Sequence, residues 1–474
     1  MSLSKKIAHN TLIQILGKIA SSIFALLTIA ALTRYLKPDG FGQYTIIIAF
    51  LSFFGILIDM GIYLTTLQMI SDPANDSEKI FSNAFTMRVI VSATLLATAP
   101  FTVLFFPYPQ IVKQGVFSAV FAFFFISLCQ ILHAPFQKEL KMFRAELAEI
   151  CAKFIILALV LGIIYLKLNL NFVMLCIVIG HFFHFLIKYF FAKIYIKIKF
   201  AFDKDIWIKI FYNSLPIALS IFFNLIYLRG DTIVLSLFAS DVQIGFYGAS
   251  YRVLDVLTTL PIIFAGLMLP LFTASWAGKN IDKLKKYLQV SFDVCAAIAI
   301  PIVIGTQFIA TPVMTLAAGK EYFPSGPILK ILIIAIAMVF FSTTFSHFIV
   351  AINQQKSMLL GYAITAILSI IGYFILIPRF YSFGAAWITV FSEGMMAIIT
   401  LAIIYKKTKI TLSVEKLFKS LFAGAVMAAV LYFIRNANLF IIILAGAAVY
   451  AGALYAIGGV DREMIRKLFS GSAN

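Results

Sequence analysis

Arg229, Asp231, Arg252 and Asp255 lie inside runs that are otherwise almost wholly apolar. A guanidinium presents a planar fork that matches a phosphate group bidentately, so arginines beside carboxylates describe a site where acids hold the forks until an anion displaces them. Arg252 and Asp255 are three apart and share a helix face, whereas Arg229 and Asp231 are two apart and do not. Their matched depths predict cross-helix pairing, Arg229 with Asp255 or Asp231 with Arg252. Lys18, Asp59 and Arg88 make a second group, toward the opposite ends of their helices. Glu393 stands alone. With Asp59 it is a candidate coupling or cavity acid, because a proton- or sodium-driven cycle needs a carboxylate exposed to each side in turn. Asn224, Tyr227, Tyr247 and Tyr251 offer hydrogen bonds and ring faces to a polyhydroxylated ligand. Each group also has a plain structural reading: the ions as a buried brace between helices, the aromatics as packing. Together these ionisable groups sum to no net charge.

The elements that position these groups belong to a membrane. Only 12% of the 474 residues are charged and 62% are apolar, with a mean hydropathy of +1.01. A soluble domain carries about 25% charged residues, so a water-soluble fold is excluded. A helix that crosses the bilayer needs about 20 apolar residues. The apolar runs predict fourteen spans, which begin at Thr11, Phe41, Ser82, Gly115, Ile150, Phe172, Ser214, Gly245, Gln289, Pro327, Ser357, Phe383, Leu417 and Leu439. The connections leave no room for a sizeable extramembrane domain.

Most lysines and arginines collect at the chain ends and in alternate loops, around residues 138–144, 188–209, 279–286 and 406–419. The positive-inside rule then predicts a multi-pass protein of the cytoplasmic membrane with both termini in the cytoplasm. By the same rule the net charge of +18 is an orientation signal, and no nucleic-acid partner is expected. The first apolar run is too long for a cleavable signal core, so the amino terminus is expected to be retained. Cys129, Cys151, Cys176 and Cys295 lack the paired spacing of a zinc or redox motif, and no glycine-rich nucleotide loop is present. Neither a cofactor nor a metal is expected.

Asn10, Gly42 and Tyr44 are matched by Asn213, Gly245 and Tyr247 at a constant offset of 203. Halves with an even number of crossings are parallel repeats about an axis along the membrane normal. The expected fold is an all-α polytopic membrane protein. A six-helix lobe would cover residues 1–198, a cytoplasmic linker 199–213, a second six-helix lobe 214–409, and two further helices with a cytoplasmic tail 410–474.

Three runs carry a family likeness: LTRYLKPDGFGQYTIIIAFLSFFGILIDMGI from Leu32, SLPIALSIFFNLIYLRGDTIVLSLFASDVQIGFYGASYRVLD from Ser214, and LIPRFYSFGAAWITVFSE from Leu376. They resemble the polysaccharide transporter branch of the multidrug/oligosaccharidyl-lipid/polysaccharide exporters, which includes the O-antigen flippases. The resemblance implies a V-shaped pair of lobes. It also implies movement of a polyprenyl-pyrophosphate-linked oligosaccharide from the inner to the outer leaflet by alternating access, for cell-surface polysaccharide of the cell envelope. On this reading Lys18, Arg88, Asn224, Arg229, Asp231, Tyr251, Arg252 and Asp255 are the substrate-binding candidates. The expected partners are the lipid-linked substrate, membrane lipids, a glycan polymerase and glycosyltransferases.

Drug and cation antiporters share the implied fold and remain an alternative. A polytopic polysaccharide polymerase or ligase is a further alternative. An enzyme of that kind generally needs an extramembrane platform, whereas the longest outer connection, near residues 312–326, carries only Lys320 and Glu321.

Overall fold

The computed structural model describes residues 3–459; the side chains of residues 1–12, Ile15 and Pro216, and the tail from residue 460 with its basic stretch Arg462–Lys467, lie outside the described residues. Among those described the fold is all-α and has no strand. The helices are α1 (Leu3–Asp59), α2 (Ile62–Ser71), α3 (Ser77–Thr102), α4 (Gln110–Ile131), α5 (His133–Lys138), α6 (Met142–Tyr165), α7 (Leu170–Ala192), α8 (Lys204–Phe238), α9 (Asp241–Leu257), α10 (Thr259–Ala277), α11 (Ile281–Ala318), α12 (Ser325–Ala351), α13 (Lys356–Thr408), α14 (Glu415–Phe433) and α15 (Leu439–Ala456).

Two of these are too long for one crossing. At about 1.5 Å per residue, the 57 residues of α1 and the 53 of α13 far exceed a hydrocarbon core of about 30 Å. Each is broken by one non-helical residue. Lys37 (φ 58°, ψ 177°) precedes Pro38, whose ring disfavours helical backbone at the residue before it; Tyr381 (φ 48°, ψ −124°) breaks α13. The legs of α13 run back along each other: Gly361 lies against Ile399 and Gly372 against Ile388, and Thr365 Oγ1 is 3.4 Å from Met396 Sδ. In α1 the reversal brings Lys18 to the same cavity as Tyr63 of α2. Twelve helical stretches among the described residues are long and apolar enough to span a membrane, and the two doubled ones bring the crossings to the fourteen expected.

The packing forms two compact units that divide between Gly248 and Ala249. In the first, α1 packs on α4 and α6, α4 on α7, and α8 on α1, α2 and α3. Phe81, Phe85, Phe136, Met142, Ile196 and Ile210 form a dense core at one end of this unit. The chain between α7 and α8 lies extended along α3. Backbone N–H groups of Ala201 and Asp203 donate to Thr86 Oγ1 (2.9 Å) and Asn83 Oδ1 (2.7 Å), and Lys79 pairs with Asp203 at 2.7 Å. In the second unit α12 packs on α10, α11 and α13. There α14 and α15 join α11 through Ala296, Ile300, Met427, Tyr450 and Leu454. Large side chains such as Phe105, Phe154, Leu360 and Phe433 point outward, as lipid-facing surfaces require.

The repeat glycines meet inside the first unit. A Cβ on Gly42 would overlap the Asp241 carbonyl, and a Cβ on Gly245 would overlap the Pro38 carbonyl. Residues 38 and 241 are themselves 203 apart, so the two halves of this contact are equivalent under the sequence repeat. Gln43 Nε2 donates to Asp241 Oδ2 at 3.0 Å across the same seam. Only a residue without a side chain allows the backbones this close, so the glycines that signal the repeat are also its steric requirement.

Candidate functional site

On α7, His181, His184 and Lys188 follow one another at spacings of three and four, and on α6 Glu149 and Lys153 are four apart. Such spacings align side chains on one helix face. The two stripes face each other across a cavity of about 490 Å³, closed by Lys18 of α1, Tyr63 of α2, Gln130 of α4 and His133 of α5. Lys18 Nζ lies 3.0 Å from Glu149 Oε1. Lys188, only 5% exposed, has its Nζ 3.1 Å from His133 Nδ1. When Lys188 carries its third proton it donates to Nδ1 of an imidazole whose own proton is on Nε2. His181 Nδ1 and His184 Nε2 are buried without a protein partner.

Asp59 and Arg88 do not line this cavity; Arg88 reaches its wall only through Gln130. Arg88 is fully buried, and its guanidinium donates to Asp59 Oδ1 (3.0 Å) and to the carbonyls of Ile58 (2.9 Å), Asp59 (3.1 Å) and Ser127 (3.3 Å), with Gln130 Oε1 as a further acceptor. The chain turns left-handed at Met60 (φ 39°) and Gly61 (φ 71°), which leaves the last carbonyls of α1 without helical donors. Arg88 supplies them. The expected trio therefore separates: Arg88 braces Asp59 and the α1–α2 break, while Lys18 joins Glu149.

The other candidates fall in separate places. Asp231, fully buried in α8, accepts from the Tyr247 hydroxyl and from Thr232 N–H (2.5 Å) and Thr232 Oγ1 (3.1 Å). Asn224 Nδ2 donates to Tyr227 Oη at 2.8 Å. In the second unit Arg252 pairs with Asp255 of its own helix at 3.2 Å, across the helix face that the two share. Arg229 and Tyr251 also engage other groups. Glu393 is 5% exposed and accepts from Ser342 Oγ at 3.4 Å. All four cysteines are free thiols. Among the described residues no three His, Cys, Asp or Glu side chains converge as a metal site.

Glu149, Lys153, His133, His181, His184 and Lys188 were not expected at a site. A span starting at Ile150 leaves Glu149 outside the membrane, yet α6 begins at Met142. Lys188 counts toward orientation with the basic stretch 188–209, although the sixth span expected from hydropathy, like α7, runs to Ala192. Their signal was the three-and-four spacing of polar residues along two otherwise apolar helices.

Over residues 31–327, more than half its length, the sequence matches the family described as polysaccharide biosynthesis protein. The chain belongs to this family. One curated relative of the chain is the Probable flippase AglR of Haloferax volcanii, 23% identical over 254 residues, covering 51% of this chain and 53% of the relative. The match spans about half of that relative's length. Among solved structures, the lipid II flippase MurJ in its inward closed conformation superposes with a TM-score of 0.78 at 16% identity, covering 95% of this chain and 100% of MurJ. The inward-facing conformation of a multidrug resistance MATE family transporter of the MOP superfamily gives 0.66 at 15% identity, over 82% and 94% of the two chains. The chain thus has the all-α fold of these transporters, as the three quoted runs implied.

Proposed function

We propose that the protein is a flippase that carries a polyprenyl-pyrophosphate-linked oligosaccharide from the inner to the outer leaflet of the cytoplasmic membrane, with residues 1–198 and 214–409 as the halves that alternate access. It acts as a transporter and not as an enzyme, and it delivers lipid-linked glycan made by glycosyltransferases to a polymerase on the far side. Both termini and the linker face the cytoplasm. The family membership, the flippase relative and the shared fold support this reading.

The observation that carries it is the cavity of the first unit. Three lysines and three imidazoles against one carboxylate make a lining that repels a cationic drug and attracts an anionic headgroup. The same lining weighs against the drug or cation antiporter.

An anion leaving a cytoplasm of negative potential gains about 2.3 kcal/mol per charge per 100 mV if it crosses the full field. Potential therefore assists export, with Asp59 and Glu393 holding structure around the path. The test is a proteoliposome assay with lipid-linked oligosaccharide. Protein-dependent flipping should speed up when an imposed potential is negative on the side of departure, and Glu393→Gln should keep that response. Proton-driven uptake of a cationic dye, with no movement of the lipid-linked sugar, would overturn the flippase reading.

A further inference from the structure

We infer that the pocket between α1 and α6 seats an aminophospholipid of the membrane, with its primary ammonium on Glu146 and an acyl chain on the apolar wall around that carboxylate.

Phe143, Glu146, Leu147 and Ile150 recur at spacings of three, one and three on α6, and Ile13, Leu16 and Gly17 repeat the first part of that pattern on α1, so each set shares one helix face. The two faces enclose about 250 Å³, with a lining distinct from that of the cavity rich in lysine and histidine. Leu16 and Phe143, each 57% exposed, form the lip and open the pocket to lipid. The wall is hydrocarbon except at Glu146. Glu146 is only 7% exposed, and its Oε2 is buried with no hydrogen-bond partner. A Cβ on Gly17 would stand 2.6 Å from Glu146 Cβ and 3.1 Å from Oε2, so the missing side chain keeps the space beside the carboxylate open.

A buried carboxylate oxygen costs free energy until a donor reaches it. The charged groups around Glu146 are Lys18 of α1, Glu149 of its own helix and Lys188 of α7. Lys18 is bonded to Glu149 at 3.0 Å, Lys188 reaches His133 at 3.1 Å, and Lys153, one turn beyond Glu149, engages a group of its own. Lys18 and Lys188 balance Glu146 and Glu149 in charge. A zwitterionic ligand leaves that balance intact, whereas a bare cation or an anion shifts it. The ligand must therefore bring an N–H donor, a compensating charge and a hydrocarbon body, and a phospholipid with a primary ammonium has all three.

Depth agrees with a headgroup. Glu146 lies four residues beyond the first residue of α6, about 6 Å along the axis, and ahead of the apolar run that starts at Ile150. Farther along, Phe24 meets Phe154 at a centroid distance of 5.7 Å. The two helices thus continue side by side past the pocket and offer the acyl chain an apolar seam.

The test uses the full-length protein in phosphatidylcholine nanodiscs doped with dioleoyl phosphatidylethanolamine, its N-monomethyl and N,N-dimethyl forms, or phosphatidylglycerol. Native mass spectrometry reads the lipid that stays bound. The parent should retain phosphatidylethanolamine over phosphatidylcholine by about tenfold, the worth of one hydrogen bond to a charged group, with retention falling as each methyl removes a donor. Glu146→Gln should abolish the preference, as should Leu16→Trp, which fills the pocket from its lip. Glu139→Gln, the loss of an exposed acid on the same stretch, should keep it. Leu16→Trp leaves the buried carboxylate in place, so it stays informative if Glu146→Gln folds poorly. Equal retention of phosphatidylethanolamine and phosphatidylcholine by the parent overturns the seat. So does tighter retention of phosphatidylglycerol, or a phosphatidylethanolamine preference that survives both pocket variants.

Discussion

Replacing Arg88 with methionine should destabilise the first unit far more than it alters affinity for substrate. The guanidinium is fully buried and satisfies one carboxylate, three carbonyls and the Gln130 amide oxygen. Removing one partner of a buried ion pair costs about 3–5 kcal/mol, and each stranded buried acceptor about 1–3 kcal/mol. These terms overlap and do not add, but the lower bound of about 3 kcal/mol is already on the order of a hundredfold in the folded population. Asp59→Asn should cost less, because Arg88 keeps its carbonyl acceptors. The double variant Arg88→Met, Asp59→Asn should be more stable than the sum of the single losses, with a coupling of about 1–3 kcal/mol.

The assay is unfolding in mixed micelles of increasing SDS, followed by tryptophan fluorescence. Of the three tryptophans, Trp207 reports the first unit, where its ring packs against Phe202 at a centroid distance of 4.9 Å. Transport is measured beside it at matched protein level. Wild-type stability in Arg88→Met together with lost transport would refute the brace and return Arg88 to the substrate path.

Gly42→Ala and Gly245→Ala should each cost about 1–3 kcal/mol by overpacking, with the double variant less than additive, since either side chain already parts the backbones; unchanged melting of both would remove the steric requirement from the repeat. The Asp203 carboxyl is held below its ordinary range, first by Lys79 and then by the Ile206 backbone N–H, so the clasp it contributes is complete above the ordinary carboxylate range and is lost as pH falls through that lowered value. Amide-exchange protection at Ala201 and Asp203 should therefore hold at neutral pH, weaken in strong acid, and fall at all pH values in Asn83→Ala. Cysteines placed at Lys199 and Lys407 should react only with reagent supplied on the cytoplasmic side, and one at Gln110 only from outside; the opposite pattern at Lys199 would invert the proposed orientation.

Hydropathy alone determined that the chain is an all-α membrane protein with fourteen crossings, because a segment in lipid must satisfy its own backbone and only a helix of about 20 residues does so. The offset of 203 between Gly42 and Gly245 was equally legible, and the reason for it, two backbones in mutual contact, is local enough for sequence to record. Ion-pair partners were another matter. They depend on how each helix is rotated about its axis and where its neighbours end, so Lys18 turned to Glu149. The polar cavity was hidden for a related reason. A hydropathy scan leaves Glu149 outside its span, whereas backbone hydrogen bonding starts α6 at Met142, and it counts Lys188 with the basic stretch that follows. Their stripes acquire meaning only when the legs of α1 fold back, and α2, α4 and α5 close around them. Sequence supplied the charged residues at helical spacing; the packing of six helices decided which of them face a common space.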